Sequence, residues 1–283
     1  MRNDFAILIL THGRPDNVRT VKSLMDGNYT GKWYIVIDNE DKTAKEYKAI
    51  YKDRVIVFDK QKYVDLTDTA DNFNEHRAIV YARNASFDIA EMLGVKYFLM
   101  LDDDFVSFEF RQVKGDKLGV IACKQLDRLF EAYIEFLETS GAITVTLAQG
   151  GDFIGGVGNA NFRKGLLRKA MNTFFCSTER RFQFVGTQNE DVSTYTRLGS
   201  IGHLLFTVTG AMIRQLPTQK NAGGMSEVYK EGGTYVKSFY TVMQMPSCVS
   251  VSMMQSNHAR IHHNVHWENT VPKILNECWR KDD

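Results

Sequence analysis

Short apolar runs alternate with helix-spaced segments along the first hundred residues. FAILIL (5–10), WYIVI (33–37), RVIVF (54–58) and YFLML (97–101) have the length and continuous apolarity of strands buried on both faces. Between them, residues 15–26 open on Pro15 and place Val18, Val21, Leu24 and Met25 at helical spacing. Residues 41–51 predict a second helix, and a longer pattern predicts one from Asp71 to Leu93, stopped by Gly94. Strands that alternate with helices predict a parallel sheet covered on both faces. In such sheets the ligand crevice lies at the carboxyl ends of the strands. The residues there are Thr11-His12-Gly13-Arg14, Asp38-Asn39 and Asp102-Asp103-Asp104.

The second half is less regular. A helix is predicted over 118–139 and a strand over 142–149, followed by the glycine-rich GGDFIGGVGNANF (150–162). MNTFFC (171–176), RRFQFV (180–185) and HLLFTV (203–208) predict strands, and 188–199 predicts a loop entering a helix. The polar, glycine-containing stretch 217–234 predicts a loop. No repeat or linker interrupts the chain, so residues 1–283 are expected to form one domain, with a first part (about 1–115) and a second (about 116–283).

Composition narrows the class. With 43% hydrophobic and 24% charged residues, the 283-residue chain is expected to be globular. A formal charge of +1 means that nucleic-acid binding needs a local patch. One candidate is the segment 150–185, where Arg163, Lys164, Arg168, Lys169, Arg180 and Arg181 face only Asp152 and Glu179. No run reaches the ~20 apolar residues of a membrane span. Nothing resembles a signal sequence, and the four cysteines form no CxxC, so a complete chain in the cytoplasm is expected, with no membrane partner.

LMLDDDF carries the strongest chemical signal. Strand alternation would turn Asp102 and Asp104 to one side, as two hard donors for a divalent cation that can bridge phosphates. Arg83, in Tyr81-Ala82-Arg83-Asn84, can balance the acids or hold a phosphate. Glu190 and Asp191 open a helix whose dipole is expected to depress their pKa, and either could be a general base. His258, His262, His263 and His266 crowd the tail, so one of them could complete a carboxylate metal site. The glycine-rich loop lacks the P-loop GK[ST] and the dinucleotide fingerprint, and instead suits close approach of an acceptor to the backbone.

In order and spacing, these residues resemble GT-A-fold nucleotide-sugar glycosyltransferases over about 5–200. FDKQKYVDLTDTADNF (58–73), VYARNASFDIAEMLG (80–94) and YFLMLDDDF (97–105) resemble the DNA-base glycosyltransferases of bacteriophages and of the base-J pathway. The resemblance implies an α/β, Rossmann-like fold with a mostly parallel central sheet, helices on both faces and the DxD at the end of the fourth strand. The two parts would then be a nucleotide-sugar half and an acceptor half.

It also implies an inverting transfer from a UDP-sugar (glucose or arabinose) to the hydroxymethyl group of a modified pyrimidine in DNA, with Mn²⁺ or Mg²⁺. Thr11, His12 and Arg14 would line the nucleoside pocket, and Asp38 would accept a hydrogen bond from uracil. Arg83 and Asn84 would face the sugar or phosphates, and Asp103 the ribose or sugar. Asp102, Asp104 and His262 would hold the metal, and Asp191, with Glu190 as substitute, would be the base. Gly155, Gly156 and Arg163 are expected at the acceptor, with Phe153, Phe162 and Trp267 as aromatic contacts. A polysaccharide acceptor on the same fold is the alternative. A nuclease would need further carboxylates, and a bare DNA binder has no use for three adjacent aspartates.

Overall fold

The computed structural model describes residues 1–69, 75–158, 167–215, 225–254 and 260–272. The first half follows the predicted alternation: β1 (Phe5–Leu10), α1 (Arg19–Asp26), β2 (Lys32–Asp38), α2 (Ala44–Tyr51), β3 (Val55–Phe58), α3 (Lys60–Leu66), α4 (Val80–Met92) and β4 (Tyr97–Asp102). Then come β5 (Phe105–Lys114), β6 (Lys117–Ala122), α5 (Leu126–Ser140), β7 (Thr144–Ala148), β8 (Phe174–Ser177), α6 (Glu190–Ser200), β9 (Leu205–Gln215), α7 (Met225–Gln244), β10 (Val249–Met254), β11 (Arg260–Val265) and α8 (Trp267–Thr270).

Among the described residues, nine strands form one sheet in the order β3-β2-β1-β4-β8-β7-β9-β5-β6. The β3-β2-β1-β4 block is parallel, as is the β7–β9 pair. β8 enters antiparallel, and so do β5 and β6. This is the α/β, Rossmann-like architecture expected of a GT-A fold.

Period-two alternation splits β1 between two cores. Phe5, Ile7 and Ile9 face a cluster with Leu24 of α1 and Phe130 and Ile134 of α5. Ala6, Leu8 and Leu10 face one with Tyr81, Ala85 and Phe87 of α4. Each face is locked by aromatic pairs, Phe5 on Phe175 at 6.2 Å and Phe87 edge-on to Phe98 at 5.0 Å. Both cores therefore support the strand ends from which the site is built.

Four expectations are corrected. The helix predicted from Asp71 begins at Val80; residues 70–74 lie outside the described residues. Just before it, Glu75 accepts from the backbone N–H of Arg77 and from its guanidinium, a local loop that competes with helix. The helix predicted from 118 begins at Leu126, because 117–122 pairs with β5 around the two-residue turn Gly115-Asp116, with Gly115 at φ +61°. RRFQFV forms no strand: the Asn84 amide engages the backbone at Phe184 instead. Residues 225–234, predicted as loop, are the first half of α7.

Candidate active site

The ends of β1 and β2 form one hydrogen-bonded unit. Asp103 Oδ2 accepts from Thr11 Oγ1 at 2.6 Å and from Arg14 Nη2 at 3.1 Å. Thr11 Oγ1 also lies 2.8 Å from Tyr47 Oη, which in turn accepts from Arg14 N. Asp38 Oδ2 meets His12 Nδ1 at 2.8 Å, and its Oδ1 accepts from Lys60 Nζ and Glu40 N, both at 3.0 Å. Asp41 accepts from Gly13 N at 2.8 Å, which fixes the THGR loop beside it. The bond to Asp38 raises the pKa of His12. Burial works against the charge on Asp38, but His12 and Lys60 outweigh it and hold the carboxyl below its usual range. Lys60, Asp41 and Tyr47 were not singled out from sequence, although Lys60 follows a strand end just as the THGR motif does.

Strand alternation stops at Asp102, so the three aspartates diverge. Asp102 meets Arg83 Nη2 at 3.2 Å, Asp103 turns to Thr11 and Arg14, and Asp104 Oδ2 accepts from Gln215 at 3.3 Å. Asp104 Oδ1 is buried without a hydrogen-bond partner. Burial raises all three carboxyls, Asp102 to about 7 and Asp103 to about 6, and the Asp104 charge pushes Asp102 further against the pull of Arg83. Such a surplus of buried negative charge, with one oxygen unsatisfied, fits a divalent cation. The expected third ligand is not brought there. Among the described residues no three His, Cys, Asp or Glu gather as a metal site. The 260–265 segment is a strand, and the His262 ring lies against His263 at 4.2 Å. His258 lies outside the described residues.

Arg83 joins the acids to the expected base. Only 1% exposed, it donates from Nε to Glu190 Oε1 at 2.9 Å as well as to Asp102, with the Phe174 ring 5.1 Å from its guanidinium carbon. Its Nη1 is buried without an acceptor. Burial opposes the Arg83 charge, yet Asp102 and Glu190 overcome this and raise its pKa. Asn84, the next residue, does not join the cluster. Its amide donates to Thr67 Oγ1 and Phe184 O and accepts from Phe184 N at 2.8 Å.

Asn189 precedes the acidic pair at φ +52°, a left-handed conformation that asparagine tolerates better than most residues. Its amide donates to Lys237 O on α7 at 2.7 Å, so α7 fixes the start of α6. Glu190 is held by Arg83, whereas Asp191 accepts from Val192 N at 2.7 Å. Asp191 is 6% exposed, and burial together with the Glu190 charge raises its carboxyl to about 6. This corrects the expectation of a dipole-depressed pKa: desolvation outweighs the helix end.

Sequence reasoning also missed Tyr195, and gave Lys169 and His263 other roles. The Tyr195 hydroxyl, one turn along α6, is buried without a hydrogen-bond partner, and its ring stacks on Trp267 at 5.9 Å. Burial and the Asp191 charge both raise its pKa. Burial lowers Lys169, against the pull of Asp191 and Asp152. His263 is 7% exposed with Nε2 unsatisfied, and burial and the neighbouring Lys169 lower it to about 3. Strand alternation in 260–265 was the available signal for its inward side chain.

Among the described residues, the basic segment does not form one open face. Arg168 pairs with Asp152 at 3.4 Å, Arg180 donates to Leu137 O, and Arg181 pairs with Asp88 and Glu91. Gly155 and Gly156 follow Phe153 at φ +85° and +68°. Arg163, Lys164 and Phe162 lie outside the described residues.

The model of one protein family, TET-Associated Glycosyltransferase, matches residues 5–224. The chain belongs to that family. It is therefore a glycosyltransferase, and membership supports modified pyrimidines of DNA as acceptors. The matched span holds Thr11, Arg83, the three aspartates and the Glu190-Asp191 pair, and ends before the α7 helix and the histidine tail. No curated protein matches the chain. Among the described residues of this glycosyltransferase, no helix is long and apolar enough to cross a membrane.

Proposed function

We propose that this glycosyltransferase moves a sugar, with inversion, from a UDP-sugar to the hydroxymethyl group of a modified pyrimidine in DNA, using a divalent cation and Asp191 as the base. The observation that carries the reading is the Arg83 bridge, which puts the phosphate-side Asp102 and the base-side Glu190 on one guanidinium. It supports a donor on the β1–β2–β4 edge with its anomeric carbon toward α6.

Asp102 and Asp104 would hold the cation, which when bound would offset the charge growing on the leaving diphosphate. Arg14 and Arg83 each keep a buried N–H without an acceptor, suited to phosphate or sugar oxygens. Asp191 suits the base role better than Glu190. Glu190 is engaged by Arg83, while the raised pKa of Asp191 makes its ionised form the stronger proton acceptor. Asp191 takes the hydroxyl proton, the oxygen attacks the anomeric carbon, and the bond to the diphosphate oxygen breaks on the opposite face through an oxocarbenium-like state. Gly155 and Gly156 leave room for the acceptor, with Trp267 and Tyr195 alongside. Glucose or arabinose is the expected sugar and the cytoplasm the expected compartment.

The test is UDP release from a panel of UDP-sugars with Mn²⁺, with hydroxymethylated or unmodified DNA. Release that rises only with hydroxymethylated DNA, giving a product of inverted anomeric configuration by NMR, is the expected outcome. Release insensitive to either DNA would remove the acceptor, and a retained configuration would remove the base.

A further inference from the structure

The proposed nucleotide edge holds an arrangement that its resemblance to other glycosyltransferases did not anticipate. Asp38, expected to accept from the donor base, is buried with both oxygens engaged: Oδ2 by His12 Nδ1 at 2.8 Å, and Oδ1 by Lys60 Nζ and Glu40 N at 3.0 Å. His12 is the exposed member of the set, with 43% of its side chain accessible against 7% for Asp38 and 6% for Lys60. Because an ionised carboxylate only accepts, His12 Nδ1 carries the proton, and Nε2 lies on the opposite edge of the ring.

We propose that His12, and not Asp38, reads the donor nucleobase, with Asp38 and Lys60 as positioning residues that hold its Nε2 toward the crevice. The inference rests on the nucleotide-edge reading above. In the cationic ring Nε2 is an N–H donor and matches a carbonyl, such as O4 of uracil. It clashes with the amino group that cytosine carries at the same place. In the neutral ring Nε2 becomes an acceptor and the preference weakens. The charged groups facing His12 are Asp38 at the end of β2, Asp41 in the loop that follows at 3.6 Å, and Lys60 on α3. Glu40 lies beyond them, 3.3 Å from Lys60 and 3.5 Å from His76. Asp38 and Asp41 favour the cation and Lys60 opposes it, with the carboxylates ahead. Recognition of the base is therefore strongest below the His12 pKa and fades above it.

The experiment is calorimetric binding of UDP and of CDP, with Mn²⁺, from pH 6 to pH 9. The two ligands share a diphosphate and a ribose, so titration of the aspartates or loss of the metal moves both equally, and their affinity ratio isolates the base. Wild type is expected to prefer UDP by roughly tenfold or more at pH 6, the worth of one charge-assisted hydrogen bond, and to lose that preference as pH rises. His12→Phe should abolish the preference, by weakening UDP and relieving the clash with CDP. His12→Gln, a fixed amide, should make the ratio independent of pH. Lys60→Met should shift the midpoint of the ratio to higher pH, since the opposing charge is gone, whereas a purely structural role would weaken both ligands and leave the midpoint in place. If UDP binds to wild type and His12→Phe with the same preference over CDP, the inference fails and the nucleotide edge stands. If wild type binds neither nucleotide, the edge reading fails and takes the inference with it.

Discussion

Around the ends of β1 and β2, buried polar groups other than Arg14 Nε answer one another. Thr11 and Arg14 share Asp103, Tyr47 is bonded on two sides, and Asp38 meets three donors. Around Asp191 the pattern is the opposite: the Tyr195 hydroxyl, His263 Nε2 and Gln188 Oε1 are buried and unsatisfied. A buried polar atom without a partner costs about 1–3 kcal/mol, so such a cluster holds stability in reserve for whatever enters. The proposed donor side is largely finished before substrate arrives, apart from Arg14 Nε, Arg83 Nη1 and Asp104 Oδ1, which are buried without partners. The proposed acceptor side, by this physics, is completed by its substrate.

The largest expected effect falls on Asp191. Asp191→Asn should lower transfer by roughly 10²–10⁴-fold, the range for a general base, with UDP affinity by calorimetry unchanged. Turnover within about tenfold of wild type would move the base elsewhere and break the contrast.

Arg83→Met should come next. It strips the partner from two carboxylates at once and is expected to cost roughly 3–5 kcal/mol in urea denaturation. A loss below about 1 kcal/mol would mean that the two halves do not depend on this bridge.

The third effect is a pH signature. Asp191 has its carboxyl raised to about 6 in the folded protein, against about 3.9 when unfolded. The folded state thus binds more protons in that interval, and the Asp191 contribution to stability falls as pH rises from about 4 to 6 and stays lost above it. Asp191→Asn, which cannot titrate, should be more stable than wild type by about 1–3 kcal/mol at pH 7.5 and level with it near pH 4. A gain unaffected by pH would disprove burial as the cause.

The smallest effect is a matched pair of hydroxyl deletions. Tyr47→Phe removes a satisfied hydroxyl and should cost about 1 kcal/mol, whereas Tyr195→Phe removes an orphan and should be neutral or stabilising. Equal losses in thermal unfolding would erase the distinction between the two sides.

The clustering of the proposed donor side was legible in sequence because its groups follow buried parallel strands, whose carboxyl ends converge by topology. Thr11, His12, Arg14, Asp38 and Asp103 needed only local reading, while Lys60 escaped because the end of β3 was not read by the same rule. The acceptor side depends on pairings distant in the chain. His262 and His266 look helical at i, i+4, but their segment pairs with 249–254 and turns His263 inward. The glycines of 217–234 concealed the start of α7, and the turn at Gly115-Asp116, readable in hindsight, announces the β5–β6 hairpin. The raised pKa of Asp191 was hidden for another reason: a helix start is visible in sequence and the burial of that start is not.

Arg83 and Asn84 are neighbours on α4, and both reach one stretch of the second half, Arg83 through Glu190 and Asn84 through Phe184. Two adjacent residues thus act as a double rivet between the proposed donor scaffold and the proposed base. An enzyme built this way can exchange its acceptor loops while its reaction stays in register. A chimera that replaces residues 150–169 and keeps 182–191 against its own α4 should still hold Asp191 opposite the donor, and one that moves 182–191 with the graft should lose that alignment.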